Sequence, residues 1–434
     1  MIDKYLPSLD FAENVDGGIA APLGFTASGV YCGVKRAGYE TNTVTAASIL
    51  ANENIQSEHK PDLAMIYCDV VCNCAAVFTQ NLVKGAPIQV CREHLTNGKA
   101  QAVIANSGNA NTCNSDGVEK AREMCALTAK EMGISENDVL VASTGVIGQI
   151  LPLEPIAEGI PYLKKNLSKS GTSAARAIMT TDTVKKELAI KLTIGGKEVT
   201  IGAMSKGSGM IHPNMATMLG FVTTDASVSS KMLDKALRTA AAESFNMLSV
   251  DGDTSTNDTL LVMASGLAGN DEITCEGEDY DIFCKALCEV CLCLARVMAR
   301  DGEGATKLVE CIVTGAADDA NAKIIAKSVI CSPLVKSAMF GSDANWGRVL
   351  CAIGYSGAKV DITKVDVSFR SQGGTIPVCL NGSGIPFSEE LAKNVLSADA
   401  VYIDVALGDG DGKANAFGCD LTYDYVKING DYRT

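Results

Sequence analysis

Histidine is almost missing from this chain: its 434 residues contain three, His59, His94 and His212. That scarcity excludes a histidine-rich metal centre and leaves a Ser-His-Asp triad few ways to form. Basic clusters are missing as well. The net charge is −14 with no local run of Lys or Arg to offset it, so phosphate backbones and anionic membranes are repelled and nucleic-acid binding is not expected. No segment reaches 18 uncharged apolar residues, and residues 1–7 lack the basic-then-apolar pattern of a signal peptide, so a cytoplasmic protein without membrane spans is expected. No G-x-G-x-x-G follows a strand, and 407–413 lacks the G-x-x-x-x-G-K-[ST] spacing of a phosphate loop. The turn at 251–258 fails as a calcium loop at its sixth and twelfth positions, where Thr256 and Val262 replace the required Gly and Glu.

What remains is a chain that is 47% hydrophobic and 20% charged, with 41 glycines. It reads as globular, rich in tight turns, and too long for one core. Its 17 cysteines are an odd number in a large chain and sit in apolar runs that read as strands, such as 88–91 and 378–380. They are therefore taken as free, buried thiols in a reducing compartment. Cys284, Cys288, Cys291 and Cys293 suggest an iron–sulfur spacing, but 281–300 carries no Gly or Pro and reads as one helix. On it, residues seven apart are about 10 Å apart along the axis, too far for thiolates to close on one cluster, so no metal is expected.

Strands are expected at 63–67, 75–78, 101–105, 139–143, 218–223, 308–313 and 401–406. Helices are expected at 116–132, with Ser115 as N-cap and Gly133 closing it, at 232–245 behind Ser229 or Ser230, at 322–330 and at 388–396. Hairpin tips fall at Gly195-Gly196, at 371–374 and at 407–413. Strands and helices thus alternate along the chain.

The stretch that carries the chemistry is 206–219, Lys-Gly-Ser-Gly-Met-Ile-His-Pro-Asn-Met-Ala-Thr-Met-Leu. A Gly-rich approach, rigid at Pro213, delivers Thr217 to the start of an apolar strand. The segment is either a loop entering a buried strand or a site where Thr217 attacks the carbonyl of Ala216 and cuts the chain. In the second case the freed α-amine, with an ordinary pKa of about 7.7–8.0, can serve as base for the hydroxyl beside it. His212 belongs to that loop rather than to the base role. Thr144-Gly145, at the end of a strand, is a plain turn or a place where a hydroxyl and a backbone N–H meet one oxyanion. Glu303, between two glycines, is a solvated turn residue or a partner for a cation.

Read together, seven stretches resemble one family along the whole chain: 24–30 (GFTASGV), 105–111 (ANSGNAN), 143–148 (STGVIG), 179–183 (MTTDT), 206–219, 250–259 (VDGDTSTNDT) and 340–348 (FGSDANWGR). The chain is identified as a member of the ornithine acetyltransferase family (glutamate N-acetyltransferase, an enzyme of arginine biosynthesis). The resemblance implies an α/β fold class, a layered αββα sandwich like that of self-processing N-terminal-nucleophile enzymes, with a smaller C-terminal α/β unit. It implies cleavage between Ala216 and Thr217 into chains 1–216 and 217–434. A domain boundary is expected near residue 305, with 217–305 completing the catalytic domain and 306–434 forming the C-terminal one. Thr217 becomes the nucleophile and Thr144 with Gly145 the oxyanion pair. Thr180, Lys206, Thr217, Glu303, Asn429 and Thr434 become substrate contacts, Lys206 suiting a carboxylate and Glu303 an ammonium. The activity implied is transfer of acetyl from N2-acetyl-L-ornithine to L-glutamate through acetyl-Thr217. No cofactor is implied, although some members also accept acetyl-CoA, and the fragments are expected to assemble as an α2β2 heterotetramer. Two alternatives stand beside it: an N-terminal-nucleophile amidase or aminopeptidase with water as acceptor, and an uncleaved, non-enzymatic ligand-binding protein.

Overall fold

The computed structural model describes residues 10–36, 48, 50–212 and 218–431. Ala216, Thr217 and Thr434 lie outside the described residues.

The protein is α/β, with two mixed sheets among the described residues. Across the first sheet the strands run in the order Ala12–Val15, Lys186–Ile194, Lys197–Lys206, Leu219–Thr224, Thr259–Ala264, Leu63–Phe78, Lys99–Asn109 and Val139–Val146, with Phe25–Val30 also paired to the long strand Leu63–Phe78. Two neighbouring pairs are parallel, Leu219–Thr224 with Thr259–Ala264 and Lys99–Asn109 with Val139–Val146. Every residue of Leu219–Thr224 and of Thr259–Ala264 is buried, as continuous apolar strands covered on both faces must be. Successive side chains then feed opposite cores: Leu219 and Phe221 join the core beneath Met65, Ile104 and Val141, while Val222 joins the other.

The second core is shared. The helix Glu278–Arg300 packs on Lys186–Ile194 and Lys197–Lys206 of the first sheet and on Leu308–Ala316 and Gly412–Cys419 of the second. It is apolar nearly all round, with Phe283, Leu287, Val290, Cys291 and Leu294 buried, which is what a helix between two sheets requires. The strands of the second sheet lie after residue 307 except for Leu248–Ser249, which pairs in parallel with Phe417 and Gly418.

Several local expectations change. The stretch 88–91 is helical, within Ala86–His94, because Pro87 starts a helix and Pro87, Ile88, Val90, Cys91 and His94 form one buried face. The strands foreseen at 63–67 and 75–78 are a single strand, Leu63–Phe78, whose register against Lys99–Asn109 shifts between Tyr67 and Cys72; that bulge absorbs the polar interruption at Asp69. The N-cap of the helix Gly117–Met132 is Asp116 rather than Ser115. Segment 407–413 is not a hairpin turn. Its flanking strands Ala400–Ala406 and Gly412–Cys419 pair on opposite sides of Leu308–Ala316, one parallel and one antiparallel, so the segment crosses over the end of that strand. Among the described residues no helix is long and apolar enough to cross a membrane.

Register sets up the site. Lys206 pairs with Leu219, and Leu219 with Thr259, so three adjacent strands present Lys206, Met218 and Asp258 at the same end of the sheet. Replacing Leu287, wholly buried between the two sheets, with Ala is expected to lower stability by about 2–5 kcal/mol, read as a lower midpoint in chemical denaturation.

Candidate active site

A cavity of about 360 Å³ opens at that end of the sheet, lined by Thr144, Gly145, Thr180, Lys206, Glu303 and Asn429 among others. These residues come from five separate stretches of chain. Its volume lies within the range of small-molecule sites.

Thr144 and Gly145 stand near the end of Val139–Val146, beside Ser107 and Gly108 of the parallel neighbour. Gly145 has φ 131°, and a Cβ there would run into the backbone of Gly108 and Asn109; only glycine permits this turn of strand. Asn257 steadies it from behind, its carboxamide donating to the carbonyl of Ala110 at 2.5 Å and to that of Ser143 at 2.9 Å. Thr112 and Thr256 donate to the Asn257 oxygen, each at 2.6 Å. The asparagines of 105–111 serve the same turn: Asn106 accepts from Ser143 and donates to the Asn109 carbonyl, and Asn109 accepts from the Asn111 N–H. They build the scaffold and leave the cavity to others.

Lys206 ends the strand Lys197–Lys206, and its Nζ reaches Thr144 Oγ1 at 3.3 Å. Burial pushes its amine below the ordinary lysine range, against the pull of Asp182, Asp258 and Glu303. The backbone on either side is held by a cluster that the sequence reading did not single out. Asp182 accepts from the N–H of Gly207 at 2.7 Å and of Thr180 at 3.0 Å. Lys186 bridges Asp182 at 2.6 Å and Asp301 at 2.5 Å, and all three side chains are essentially inaccessible. Asp301 in turn accepts from the Thr183 hydroxyl and N–H. Burial alone would raise the Asp182 carboxyl, but the ammonium groups of Lys186 and Lys206 and the Gly207 N–H hold it well below the usual carboxylate range.

Glu303 follows two residues after Asp301. Its N–H donates to the Ser208 carbonyl at 2.9 Å, and its carboxylate lies where a Cβ on Gly209 would be, so that glycine clears the space. Asn429, on the helix Tyr423–Asp431, donates to Glu303 Oε2 at 2.8 Å. The Gly-rich approach is tied down as far as it is described. Asp251 accepts from Met210 N–H at 2.6 Å and Ile211 N–H at 2.8 Å, and the Thr254 hydroxyl donates to the His212 carbonyl at 2.9 Å. A smaller void of about 30 Å³ continues from Thr144 and Lys206 to Met218, the residue after Thr217 in sequence, and to Asp258.

The histidines take no part in lining the cavity. The His94 ring meets the Val139 carbonyl at 2.7 Å, and the His59 ring lies edge-on to Tyr31. The His212 ring faces Ser249 and Cys331, and burial with Lys327 nearby lowers it to about 4.

The ArgJ family profile matches residues 46–434. The chain belongs to the ArgJ family. Among its relatives, "Arginine biosynthesis bifunctional protein ArgJ" of Caldanaerobacter subterraneus subsp. tengcongensis is 49% identical over 424 residues, covering 97% of this chain and 100% of that protein. "Arginine biosynthesis bifunctional protein ArgJ 1" of Clostridium acetobutylicum is 51% identical over 382 residues, 88% of this chain and 94% of its own. "Arginine biosynthesis bifunctional protein ArgJ" of Bacillus subtilis is 46% identical over 431 residues, 98% of this chain and 99% of its own.

In this ArgJ-family site the Asp182, Lys186 and Asp301 side chains form a buried triad. Lys186→Met would leave Asp182 and Asp301 buried without their shared cation and is expected to cost about 3–5 kcal/mol. Thermal denaturation compared with wild type checks it; a shift of under a degree would show the triad to be dispensable.

Proposed function

We infer that this chain is a self-cleaving glutamate N-acetyltransferase of the ornithine acetyltransferase type, which moves acetyl from N2-acetyl-L-ornithine to L-glutamate. The observation that carries the reading is convergence. Thr144-Gly145, Thr180, Lys206, Glu303 and Asn429, distant in sequence, line one cavity, and the void beside it reaches the residue that follows Thr217.

In this reading Thr217 Oγ attacks the acetyl carbonyl of the donor with its own α-amine as base. The Thr144 hydroxyl and the Gly145 N–H meet the oxyanion of the tetrahedral intermediate, where fixed donors act without reorganising. Lys206 and Glu303 provide opposite charges for an amino acid's carboxylate and ammonium, with Asn429 and Thr434 at the polar end. Two charged contacts for an amino-acid acceptor favour transfer to glutamate over the alternative of hydrolysis by water. The word bifunctional in the relatives' names supports acetyl-CoA as a second donor. We take the family's α2β2 heterotetramer as the assembly.

Cleavage before Thr217 would not separate the two fragments. Leu219–Thr224 is hydrogen-bonded to Lys197–Lys206 of the first fragment, and Thr259–Ala264 to Leu63–Phe78 of the first fragment, so one sheet is woven from both. Wild-type protein on a denaturing gel is therefore expected as two bands corresponding to 1–216 and 217–434 that co-elute in native chromatography. Thr217→Ala is expected as a single inactive full-length chain, and cutting of that variant at the same bond would overturn the mechanism. Thr144→Val, which removes one oxyanion donor, is expected to lower kcat by about 10²–10³-fold in a steady-state assay of ornithine release.

A further inference from the structure

Asp258 is buried and has no place in the chemistry above. Its Oδ2 is enclosed and has no hydrogen-bond partner among the described residues. The groups around the carboxyl are the Ser255 and Thr79 hydroxyls, the Met218 N–H and the Lys206 ammonium. The void of about 30 Å³ that Asp258 shares with Lys206 and Thr144 has the size and polar lining to hold one water, which needs roughly 10–15 Å³ and two or more polar partners. A carboxyl that faces a one-water chamber adjoining the substrate cavity can exchange a proton with whatever reacts there.

The transfer reaction needs such an exchange, a requirement that rests on the acetyl-Thr217 reading. At neutral pH the donor enters as a neutral amide, while ornithine leaves as an ammonium; glutamate enters as an ammonium and leaves as an amide. Acylation therefore consumes one proton and deacylation returns it.

We propose that Asp258 stores this proton, giving it up through the chamber water when acetyl-Thr217 forms and taking it back when glutamate is acetylated. In acylation the Thr217 Oγ–C bond forms and the donor C–N bond breaks; the hydroxyl proton passes to the departing nitrogen, and the Asp258 proton completes the ammonium. In deacylation the glutamate ammonium gives one proton to the Asp258 carboxylate. Its amine then attacks the acetyl carbon, the Oγ–C bond breaks, and the second nitrogen proton returns to Oγ. Both states of Asp258 are supported. Burial favours the neutral acid and pushes the carboxyl well above its ordinary range, while Lys206 attracts the carboxylate. Asp182, Lys186 and Glu303 act in turn on the Lys206 ammonium.

The test mixes the cleaved enzyme with excess N2-acetylornithine and no glutamate, in dilute buffer with a pH indicator. It counts both the ornithine released and the protons drawn from solvent in the first turnover. Wild type is expected to release one ornithine per site with well under one proton taken up. Asp258→Asn, which mimics the neutral acid but cannot donate, is expected to slow that burst by about 10²-fold or more with little change in KM, and to draw one proton from solvent per ornithine. Asp258→Glu is expected to recover part of the burst rate, which a purely structural role would not predict. A full proton taken up by wild type, or a wild-type burst rate in Asp258→Asn, would overturn the proposal. The wild-type count decides even if the Asn variant does not fold. Wild type showing neither burst nor acetylated Thr217 would instead overturn the acyl-enzyme reading beneath it.

Discussion

The site depends on one buried ammonium. Lys186 lies between Asp182 and Asp301 with no access to solvent, and those carboxylates hold the backbone at Thr180, Thr183 and Gly207. Segments 180–186 and 206–207, the two ends of a hairpin, are thereby joined to 301–303 at a common point. Burying three charges costs several kcal/mol for each ion, and the mutual attraction repays this only because the remaining lone pairs receive backbone N–H groups. The gain is position: Lys206 and Glu303 are both set in the lining of a single cavity.

Glycine supplies the second constraint, at two places. At Gly145 the strand must pass against Gly108 and Asn109, and at Gly209 the loop must leave room for the Glu303 carboxylate. Each omitted side chain leaves room, for backbone at Gly145 and for a carboxylate at Gly209, so the turn at 144–145 and the Gly-rich approach are built from absence of bulk as much as from hydrogen bonds. The carboxamide of Asn257 complements this, joining 110, 112 and 143 in one network. Its four hydrogen bonds leave it nothing with which to bind a ligand strongly.

The sheet itself explains how a chain cut at its middle can remain one body. The two strands after the proposed cleavage point, Leu219–Thr224 and Thr259–Ala264, lie side by side between strands that precede it, and the helix Glu278–Arg300 joins that sheet to the second. Separating the fragments would expose two continuous apolar strands and strip their ladders, at the cost of the burial and hydrogen bonding that hold the sheet together.

Much of this was legible in the residues alone. The long cysteine-bearing helix, the hairpin at Gly195-Gly196 and a serine cap at 229 or 230, which the structure places at Ser229, follow from periodicity and turn chemistry, which are local. So is the peculiarity of 206–219, where glycines and a proline lead to a threonine at a strand start. Sequence could not separate a helix from a strand at 88–91, because a short apolar run satisfies both periods until its neighbours decide. It could not tell that 407–413 crosses a strand instead of turning back, since that depends on which partner Leu308–Ala316 accepts. It gave no reason to choose Lys186 among the many lysines, because a charged side chain is buried only where carboxylates from distant segments meet it. What the sequence determined by itself was the local chemistry: which residues can turn, cap, attack or carry charge. What the tertiary structure decided was company, bringing Thr144, Lys206, Glu303, Asn429 and Asp258 around adjoining cavities, because contacts between residues far apart in the chain are set by strand register and packing rather than by any neighbouring residue.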